Sequence, residues 1–283
     1  GLVQLSVYTA AAPAAAEELA LASWPSVGPT RAVILALHGF GDAGPLTFDE
    51  AAQAWAARGI AVYAPDQRGF GANPSRKRWP GEAALIADAR AMARALRARH
   101  PGKPLVVVGH SMGGGVALAA AAEGLDADAL VLAGPAIAGG EALNPALRAG
   151  AFVLASVAPD RRWTGGGVVR IRPTDNPEAL RRVAADPRHF GDPSSRELYG
   201  LVRLMDRAAA AAPLVTTPTL TLMGAHDEVL RPERVREVHD VIPGASGYLL
   251  YPDGWHWLFS DRQAARVWDD VAEFALGLAA ASP

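Results

Sequence analysis

The chain has 283 residues, half of them apolar, which is enough for the core of one large α/β domain or two small domains. Its 27 basic and 29 acidic residues leave a net charge of −2, so no overall field would draw it to nucleic acid or to an anionic membrane. The absence of cysteine excludes disulfides, thiolate catalysis and cysteine-based metal sites. The expected partner is an uncharged or weakly charged small molecule.

No run of about 18 apolar residues is free of a charge, a proline or a polar break, so the sequence predicts no transmembrane segment. The chain begins Gly1-Leu2-Val3, without methionine and without a basic-then-apolar signal pattern. We therefore expect a soluble protein, either cytoplasmic in a bacterium or exported after removal of a leader. Transient contact with a lipid surface and the oligomeric state stay open.

The first third of the chain alternates strands and helices. A short strand pair near residues 5–8 and 18–24 is predicted to form an edge hairpin or a tail. The first strong strand is Ala32–Leu37, a continuous apolar run of the kind that a parallel sheet buries on both faces. The next elements follow at the spacing of βα units: helix 48–58, strand 60–64 and helix 81–99. This rhythm predicts right-handed crossovers and a parallel sheet with helices on both sides.

The stretch 106–119 predicts a buried strand that turns sharply into a helix, with Ser111 at the bend between Gly109 and Gly113. This G-x-S-x-G pattern lifts the serine hydroxyl out of the strand-to-helix corner, where it can act as a nucleophile above the sheet. The alternative is a tight turn in which Ser111 only caps the helix, since a five-residue pattern of this kind also recurs by accident. The rest of the chain has to decide between these two interpretations.

The αβ rhythm breaks after the strand at 128–133. Prolines and the Gly165-Gly166-Gly167 run then interrupt apolar helical pieces. A structureless loop of this length is improbable in a compact domain, so we predict a mostly helical cap over residues 138–216. Residues 1–137 and 217–283 then form the core. The later core elements are predicted as strand 219–223, helix 231–241, strand 247–251 and helix 262–281.

A nucleophilic serine needs a general base, a carboxylate that orients the base, and donors for the oxyanion. The carboxyl ends of parallel strands meet in one crevice, and polar loops follow two of the predicted strands at that edge. The first loop contains Asp227 and the second contains His256. The chain order Ser111, Asp227, His256 is the one expected for a triad on such a sheet. Glu228 is a rival for Asp227, which we prefer because it stands nearer the strand end.

The histidines near this crevice allow structural roles as well as catalytic ones. His256 could be a structural histidine packed between Trp255 and Trp257, but its strand-end position favours the role of base. His38 and His110 flank the same crevice, and both are predicted to brace loops through hydrogen bonds. Because few histidines lie near one another at the spacing of metal ligands, we predict no metal.

The segment Gly39-x-Gly41-x-x-Gly44 matches a dinucleotide-binding fingerprint, and Asp66 stands at the end of the next strand. An NAD-binding oxidoreductase is therefore a remote alternative. Two features argue against it. Pro45 and the polar residues after it are predicted to delay the helix, so that its N-terminus would not face a pyrophosphate. Asp66 is explained as a turn acid that pairs with Arg68, and we predict no cofactor.

Five short motifs are spread over the chain from residue 32 onward: His38-Gly39-Phe40-Gly41, Asp66-Gln67-Arg68-Gly69-Phe70-Gly71, Gly109-His110-Ser111-Met112-Gly113-Gly114, Gly224-Ala225-His226-Asp227 and Gly254-Trp255-His256. With them the chain resembles the α/β-hydrolase fold superfamily. Within it, the chain is similar to the bacterial lysophospholipase and monoacylglycerol-lipase-like serine hydrolases. The resemblance implies a mostly parallel central sheet, a cap inserted after strand 129–133, and an oxyanion hole formed by the backbone N–H groups of Phe40 and Met112.

We therefore expect a serine hydrolase that cleaves carboxylic esters through an acyl-enzyme on Ser111. Monoacylglycerols, lysophospholipids and short-chain esters are the candidate substrates. A peptidase, thioesterase or lactonase would use the same triad, and a non-catalytic ligand-binding protein on the same scaffold is a remote alternative. Apolar cap residues either line an acyl pocket or pack the cap onto the sheet. These pocket candidates are Phe152, Trp163, Phe190, Leu201 and Met205.

Overall fold

The computed structural model describes residues 4–10, 16–139, 145–164 and 171–281. Its strands are β1 Gln4–Ala10, β2 Glu17–Trp24, β3 Ala32–Leu37, β4 Ile60–Pro65, β5 Leu105–His110, β6 Ala129–Ala133, β7 Thr219–Gly224 and β8 Ala245–Tyr251. Within the described residues they form one sheet in the order β1-β2-β4-β3-β5-β6-β7-β8. The pairs β1–β2 and β2–β4 are antiparallel, and all other neighbours are parallel. This confirms the predicted, mostly parallel sheet with an antiparallel strand pair near residues 4–24.

The helices cover both faces of this sheet. They are α1 Gly44–Ala57, α2 Glu82–Arg99, α3 Met112–Ala121, α4 Pro145–Val157, α5 Pro177–Ala185, α6 Ser195–Ala211, α7 Pro232–Asp240 and α8 Ala264–Ala281. Every residue of β3, β4 and β5 is buried. Val33, Leu35 and Leu37 of β3 pack with α2 and α3, while the alternate residues pack with α1 and α8. No helix in the described part of the chain combines the length and the apolar character that a membrane crossing requires.

Three helices, α4 to α6, lie between β6 and β7, in the segment predicted as a cap. The backbone N–H of Phe190 donates to the carbonyl of Gly41 (3.0 Å), and that of Trp257 donates to the carbonyl of Pro173 (2.9 Å). The segment therefore lies over the loops that follow β3 and β8. The predicted Gly165–Gly167 break and the first three residues of the chain lie outside the described residues.

The start of α1 differs from the prediction. The helix begins at Gly44, with Pro45 in its first turn, and is not delayed by that proline. Proline suits this position because its ring fixes a helical φ and the N–H that it lacks would have no intrahelical acceptor. The buried N–H of Gly44 donates to Oδ1 of Asp66 (2.8 Å), and the N–H of Ala72 donates to Oδ2 (2.9 Å). Asp66 thus joins the loop after β4 to the first turn of α1.

The predicted pair between Asp66 and Arg68 is also wrong. Arg68 instead contacts Asp88, with 2.8 Å between Nε and Oδ2, and Glu17, with 3.4 Å between Nη1 and Oε2. The Asp66 carboxylate therefore occupies the N-terminus of α1, where the pyrophosphate of a dinucleotide would have to bind. The glycine-rich turn of residues 39–44 therefore gives no support to the oxidoreductase alternative. The reason is the position of the Asp66 carboxylate, since the helix does not start late.

Replacing Asp66 tests its part in joining the two elements. Asp66→Ala leaves the N–H groups of Gly44 and Ala72 without their acceptors, so we expect the free energy of unfolding to fall by about 1 to 3 kcal/mol. Urea denaturation followed by circular dichroism measures this change. Asp253→Ala, at an exposed acid, should shift stability by less than about 0.5 kcal/mol. A loss at Asp66 no larger than this control would contradict the assignment.

Candidate active site

Ser111 stands at the corner where β5 ends and α3 begins. Its backbone has φ 53° and ψ −116°, in a region that residues other than glycine rarely adopt. Backbone strain of this kind persists only where the surrounding structure enforces it, and it collects at functional sites. The hydroxyl makes no hydrogen bond to the first turn of α3, all of which the structure describes. The helix-cap interpretation of Ser111 is therefore wrong.

Glycines let the backbone segments around Ser111 approach closely. A Cβ on Gly113 would overlap the carbonyl oxygen of Leu37, at the end of β3. A Cβ on Gly109 would overlap the carbonyl of Gly113. In the loop after β3, a Cβ on Gly39 would lie 3.2 Å from the Cβ of Ser111. The corner that carries the serine is thus pressed against the loop of residues 38–41.

The structure brings the three predicted triad side chains into one hydrogen-bonded series. Nε2 of His256 lies 3.0 Å from Oγ of Ser111, and Nδ1 lies 2.8 Å from Oδ2 of Asp227. The imidazole is 6% exposed and the Asp227 side chain is fully buried. In such a series the imidazole can accept the hydroxyl proton while the carboxylate fixes its tautomer and orientation.

Asp227 is held in place by its own loop. Its Oδ1 accepts hydrogen bonds from the backbone N–H groups of Val229 (2.8 Å) and Leu230 (2.7 Å), which leaves Oδ2 for His256. Its rival Glu228 is exposed and accepts a hydrogen bond from the backbone N–H of Arg172 (2.5 Å). The carboxylate that contacts the imidazole is therefore Asp227, the one preferred from the sequence.

His38 and His110 brace loops, as predicted. Nε2 of His38 accepts the backbone N–H of Gln67 (2.9 Å), and Nε2 of His110 lies 2.8 Å from the carbonyl oxygen of His256. Burial lowers the pKa of both imidazoles, that of His110 to about 4, so both are neutral at pH 7. A neutral His110 therefore donates to the His256 carbonyl without adding a positive charge beside it. In the described part of the chain, no three histidine, aspartate or glutamate side chains converge as metal ligands would.

The backbone N–H groups of Phe40 and Met112 are the predicted oxyanion donors. Met112 is the first residue of α3, where an N–H has no intrahelical acceptor. Within the described residues neither N–H donates to another group, whereas the neighbouring N–H of Ser111 donates to the carbonyl of Ala133 (3.1 Å). Both groups are thus free to receive an oxyanion beside Ser111, and this role stays a prediction.

The five predicted pocket residues differ in burial and in the groups that they contact. Phe190 is buried, and its ring stacks on Phe70 (5.8 Å between centroids) and meets Phe40 edge to face (5.5 Å). Leu201 and Met205 are half-buried on α6, and Leu201 packs against the core. These three remain candidates for contact with an acyl chain.

The other two candidates make contacts within the α4 to α6 region. Phe152 is 55% exposed, and its ring meets Tyr199 at 5.7 Å between centroids. Nε1 of Trp163 donates to Oγ of Ser195 (2.9 Å). Neither contact is with Ser111, and an acyl pocket lined by all five residues stays a prediction.

Comparisons with known proteins bear on this geometry. Residues 28–263 match the Hydrolase_4 family, described as serine aminopeptidase S33. The chain belongs to this family. A relative with this fold, the monoacylglycerol lipase of Mycolicibacterium smegmatis, is 32% identical over 261 residues, which cover 88% of this chain and 89% of the relative. The family resemblance noted from the sequence motifs is thus confirmed.

Solved structures show the same fold at lower identity. A soluble variant of the monoglyceride lipase from Saccharomyces cerevisiae has a TM-score of 0.81 and 20% identity, with 97% of this chain and 95% of that chain covered. A carboxyl esterase from Bacillus coagulans has a TM-score of 0.82 and 19% identity, with 97% and 99% covered. These likenesses confirm the α/β-hydrolase fold.

Sequence reasoning missed one buried acid beside the candidate site, Asp261. Its carboxylate accepts a hydrogen bond from the backbone N–H of Trp255 (2.7 Å), the residue before His256. In the sequence, the Ser-Asp-Arg context of Asp261 is typical of a solvated turn. Its carboxylate also accepts the hydroxyl of Thr174, which is distant in the chain, so no local signal could have found it.

The buried His110 makes stability depend on pH. Its pKa is about 4 in the folded protein against 6.5 for an unperturbed histidine, so between these values the unfolded chain holds a proton that the folded protein lacks. The free energy of unfolding from this group therefore falls as the pH decreases from about 6.5 to 4, by about 3 kcal/mol.

His110→Gln keeps a donor for the His256 carbonyl and removes the titrating group. We expect the stability advantage of the unmodified protein over this variant to be about 3 kcal/mol larger at pH 7 than at pH 4. Urea denaturation at a series of pH values measures the difference. A difference that does not vary with pH would contradict the neutral, buried state of His110.

Proposed function

We propose that this carboxylic-ester hydrolase cleaves monoacylglycerols or related single-chain lipid esters, with Ser111, His256 and Asp227 as its catalytic triad. The observation that carries the proposal is the hydrogen-bonded series from Asp227 through His256 to Ser111, with distances of 2.8 and 3.0 Å. These residues are 29 and 145 positions apart in sequence, and each stands in a loop at the carboxyl edge of the sheet. That edge is where open α/β sheets bind their ligands.

In the acylation step, Oγ of Ser111 attacks the carbonyl carbon of the ester while Nε2 of His256 takes the hydroxyl proton. This requires the imidazole tautomer that carries its proton on Nδ1, which Asp227 selects by accepting that proton in a hydrogen bond. The same buried carboxylate then faces the imidazolium that forms and stabilises its charge.

The attack leaves a negative charge on the former carbonyl oxygen. The free N–H groups of Phe40 and Met112 are the proposed donors to this oxygen, and the N-terminus of α3 adds a favourable dipole. A single preorganised donor of this kind contributes about 3 kcal/mol to the stability of the transition state.

Collapse of the tetrahedral intermediate breaks the ester bond. Nε2 of His256 returns its proton to the leaving alcohol, and the acyl group stays on Ser111. Water then gives a proton to the same nitrogen and attacks the acyl carbon. As the second tetrahedral intermediate collapses, Nε2 of His256 returns this proton to Oγ of Ser111, which releases the carboxylic acid and regenerates the hydroxyl.

The substrate class is proposed from the relatives together with the site. The 32% identical relative is named a monoacylglycerol lipase, which makes monoacylglycerol the first candidate. Phe190, Leu201 and Met205 supply apolar surface for a single acyl chain. Lysophospholipids and short-chain esters present the same carbonyl to Ser111 and are the next candidates.

The family description names an aminopeptidase, so amides with a free N-terminus are the second candidate. Such a substrate carries a positive charge that a free carboxylate would recognise. Two carboxylates near the triad are already engaged: Oδ1 of Asp42 lies 3.2 Å from Nδ1 of His189, and Glu228 accepts the backbone N–H of Arg172. This favours an uncharged ester.

We also infer that residues 138–216 act as a cap that selects the acyl group. Support comes from the position of α4 to α6 between β6 and β7, and from the hydrogen bond of the Phe190 N–H to the loop that carries Phe40. Residues 140–144 and 165–170 of this range lie outside the described residues.

Ser111→Ala removes the nucleophile and leaves the fold intact. We expect kcat to fall by a factor on the order of 1000 or more, with a cooperative unfolding transition retained. Hydrolysis of p-nitrophenyl butyrate measures the rate. Ser246→Ala, at an exposed serine, is the matched control and should keep full activity. An active, folded Ser111→Ala protein would refute the proposed triad.

A substrate panel tests the proposed class. We expect kcat/KM to be higher for 1-monoacylglycerols and p-nitrophenyl esters than for matched amides and thioesters, and to vary with acyl length as apolar contact with the pocket grows. Release of fatty acid or p-nitrophenol gives the rates. A preference for aminoacyl amides over every ester would reject the ester assignment in favour of a peptidase.

A further inference from the structure

We propose that Asp261 is a positioning residue for ester hydrolysis, which holds the loop that carries His256 and ties that loop to Thr174 of the region between β6 and β7. The proposal rests on the function proposed above, since the position of His256 matters to the rate only if His256 is the general base. Asp261 touches neither Ser111 nor the imidazole of His256 through a hydrogen bond, and it acts through the backbone.

The contacts of Asp261 are few and well defined. Its Oδ2 accepts the backbone N–H of Trp255 (2.7 Å), and its Oδ1 accepts the hydroxyl of Thr174 (2.6 Å). Asp261 is 3% exposed and Thr174 is fully buried. On the other side of His256, its carbonyl oxygen is bonded to Nε2 of His110 (2.8 Å). Buried side chains thus fix the backbone both before and after the base.

Each residue of the segment 173–176 bonds to the loop that follows His256. Besides Thr174, the contacts are Trp257 N–H to the Pro173 carbonyl (2.9 Å), Arg262 N–H to Oδ1 of Asp175 (3.0 Å) and Asn176 Nδ2 to the Ser260 carbonyl (2.8 Å). Of these contacts, the one from Thr174 is made to the side chain of Asp261, which also accepts the backbone N–H of Trp255 beside His256. A displacement of this segment is therefore transmitted through Asp261 to the backbone before His256, and through the Pro173 carbonyl to the backbone after it.

Burial of a carboxylate without a cationic partner costs free energy, which argues against a purely structural role for Asp261. No basic side chain in the described residues forms an ion pair with Asp261. Burial raises the pKa of Asp261 to about 7, although the hydrogen bonds from Thr174 and the Trp255 N–H lower it. Of the nearby charged groups, Asp175 raises this pKa and His256 lowers it. The negative charge of Asp261 in turn favours the imidazolium that His256 becomes during the reaction.

The ionised form of Asp261 fixes the loop that carries His256 more strongly than the protonated form does. A carboxylate accepts the Trp255 N–H in a charge-assisted hydrogen bond, which is roughly twice as strong as the bond to a neutral acid. As the pH falls through about 7, Asp261 takes up a proton and the hold weakens. Protonation of Asp261 should therefore contribute to the decline of kcat/KM toward acid pH.

Two variants separate this role from simple stabilisation. Asp261→Asn removes the charge and the titration, and Thr174→Val removes one donor while keeping the shape of the side chain. With p-nitrophenyl butyrate we expect each to lower kcat by about tenfold, with KM changed by less than about twofold. The contribution of Asp261 to the acid limb should disappear in Asp261→Asn. In Thr174→Val the acid limb should move to higher pH, because loss of the Thr174 donor raises the pKa of the Asp261 carboxyl further.

Asp253→Asn and Thr174→Ser are the controls. Asp253 is an exposed acid on the same loop, and Thr174→Ser keeps the hydroxyl, so both should retain the kcat and the pH profile of the unmodified protein. If Asp261→Asn does not fold, the comparison of Thr174→Val with Thr174→Ser decides the question alone.

Folded Thr174→Val and Asp261→Asn proteins with lower melting temperatures but an unchanged kcat and acid limb would overturn the positioning role. Ser111→Ala, assayed in parallel, distinguishes this failure from failure of the proposed function. An inactive Ser111→Ala beside unchanged Thr174 and Asp261 variants rejects the positioning role only, whereas an active Ser111→Ala rejects both proposals.

Discussion

Where β5 turns into α3, the backbone at Gly113 lies so close to the carbonyl of Leu37 that a Cβ would overlap it. This contact presses the corner against the end of β3, and Ser111 in the same corner has a strained φ of 53°. The same approach sets the first N–H of α3, on Met112, beside the loop that carries Phe40. The proposed nucleophile and both proposed oxyanion donors are thus placed by backbone packing and not by side-chain rotamers alone.

Asp227 and His256, the other two residues of the site, stand in loops that are distant in sequence from the corner at Ser111. Asp227 is fixed by two N–H groups of its own turn, and the backbone around His256 is held by His110 and Asp261. Neutral or buried groups make these contacts, so little competing positive charge surrounds the imidazole. Such an environment favours the imidazolium and Asp227 pair that forms transiently in acyl transfer.

The segment between β6 and β7 is attached to the site at two places. Near its middle, the Phe190 N–H binds the Gly41 carbonyl beside Phe40, and residues 173–176 bind the loop after His256. By contrast, α4 exposes apolar side chains such as Phe152. The same stretch of chain therefore makes the contacts to the backbone beside Phe40 and His256 and carries the residues proposed to select the substrate.

The sequence by itself determined the sheet, the helix order and the three residues that meet at its carboxyl edge. Continuous apolar runs, glycine at the corner and polar residues just past strand ends are local patterns, and local patterns survive in a single sequence. The start of α1 was missed because Asp66, from a separate loop, accepts the N–H of Gly44 at the first turn of the helix. Asp261 and the partners of Phe152 and Trp163 were missed for the same reason. Tertiary structure alone decides which distant backbone group or side chain covers a polar residue, and so whether an acid is solvated or buried against the base.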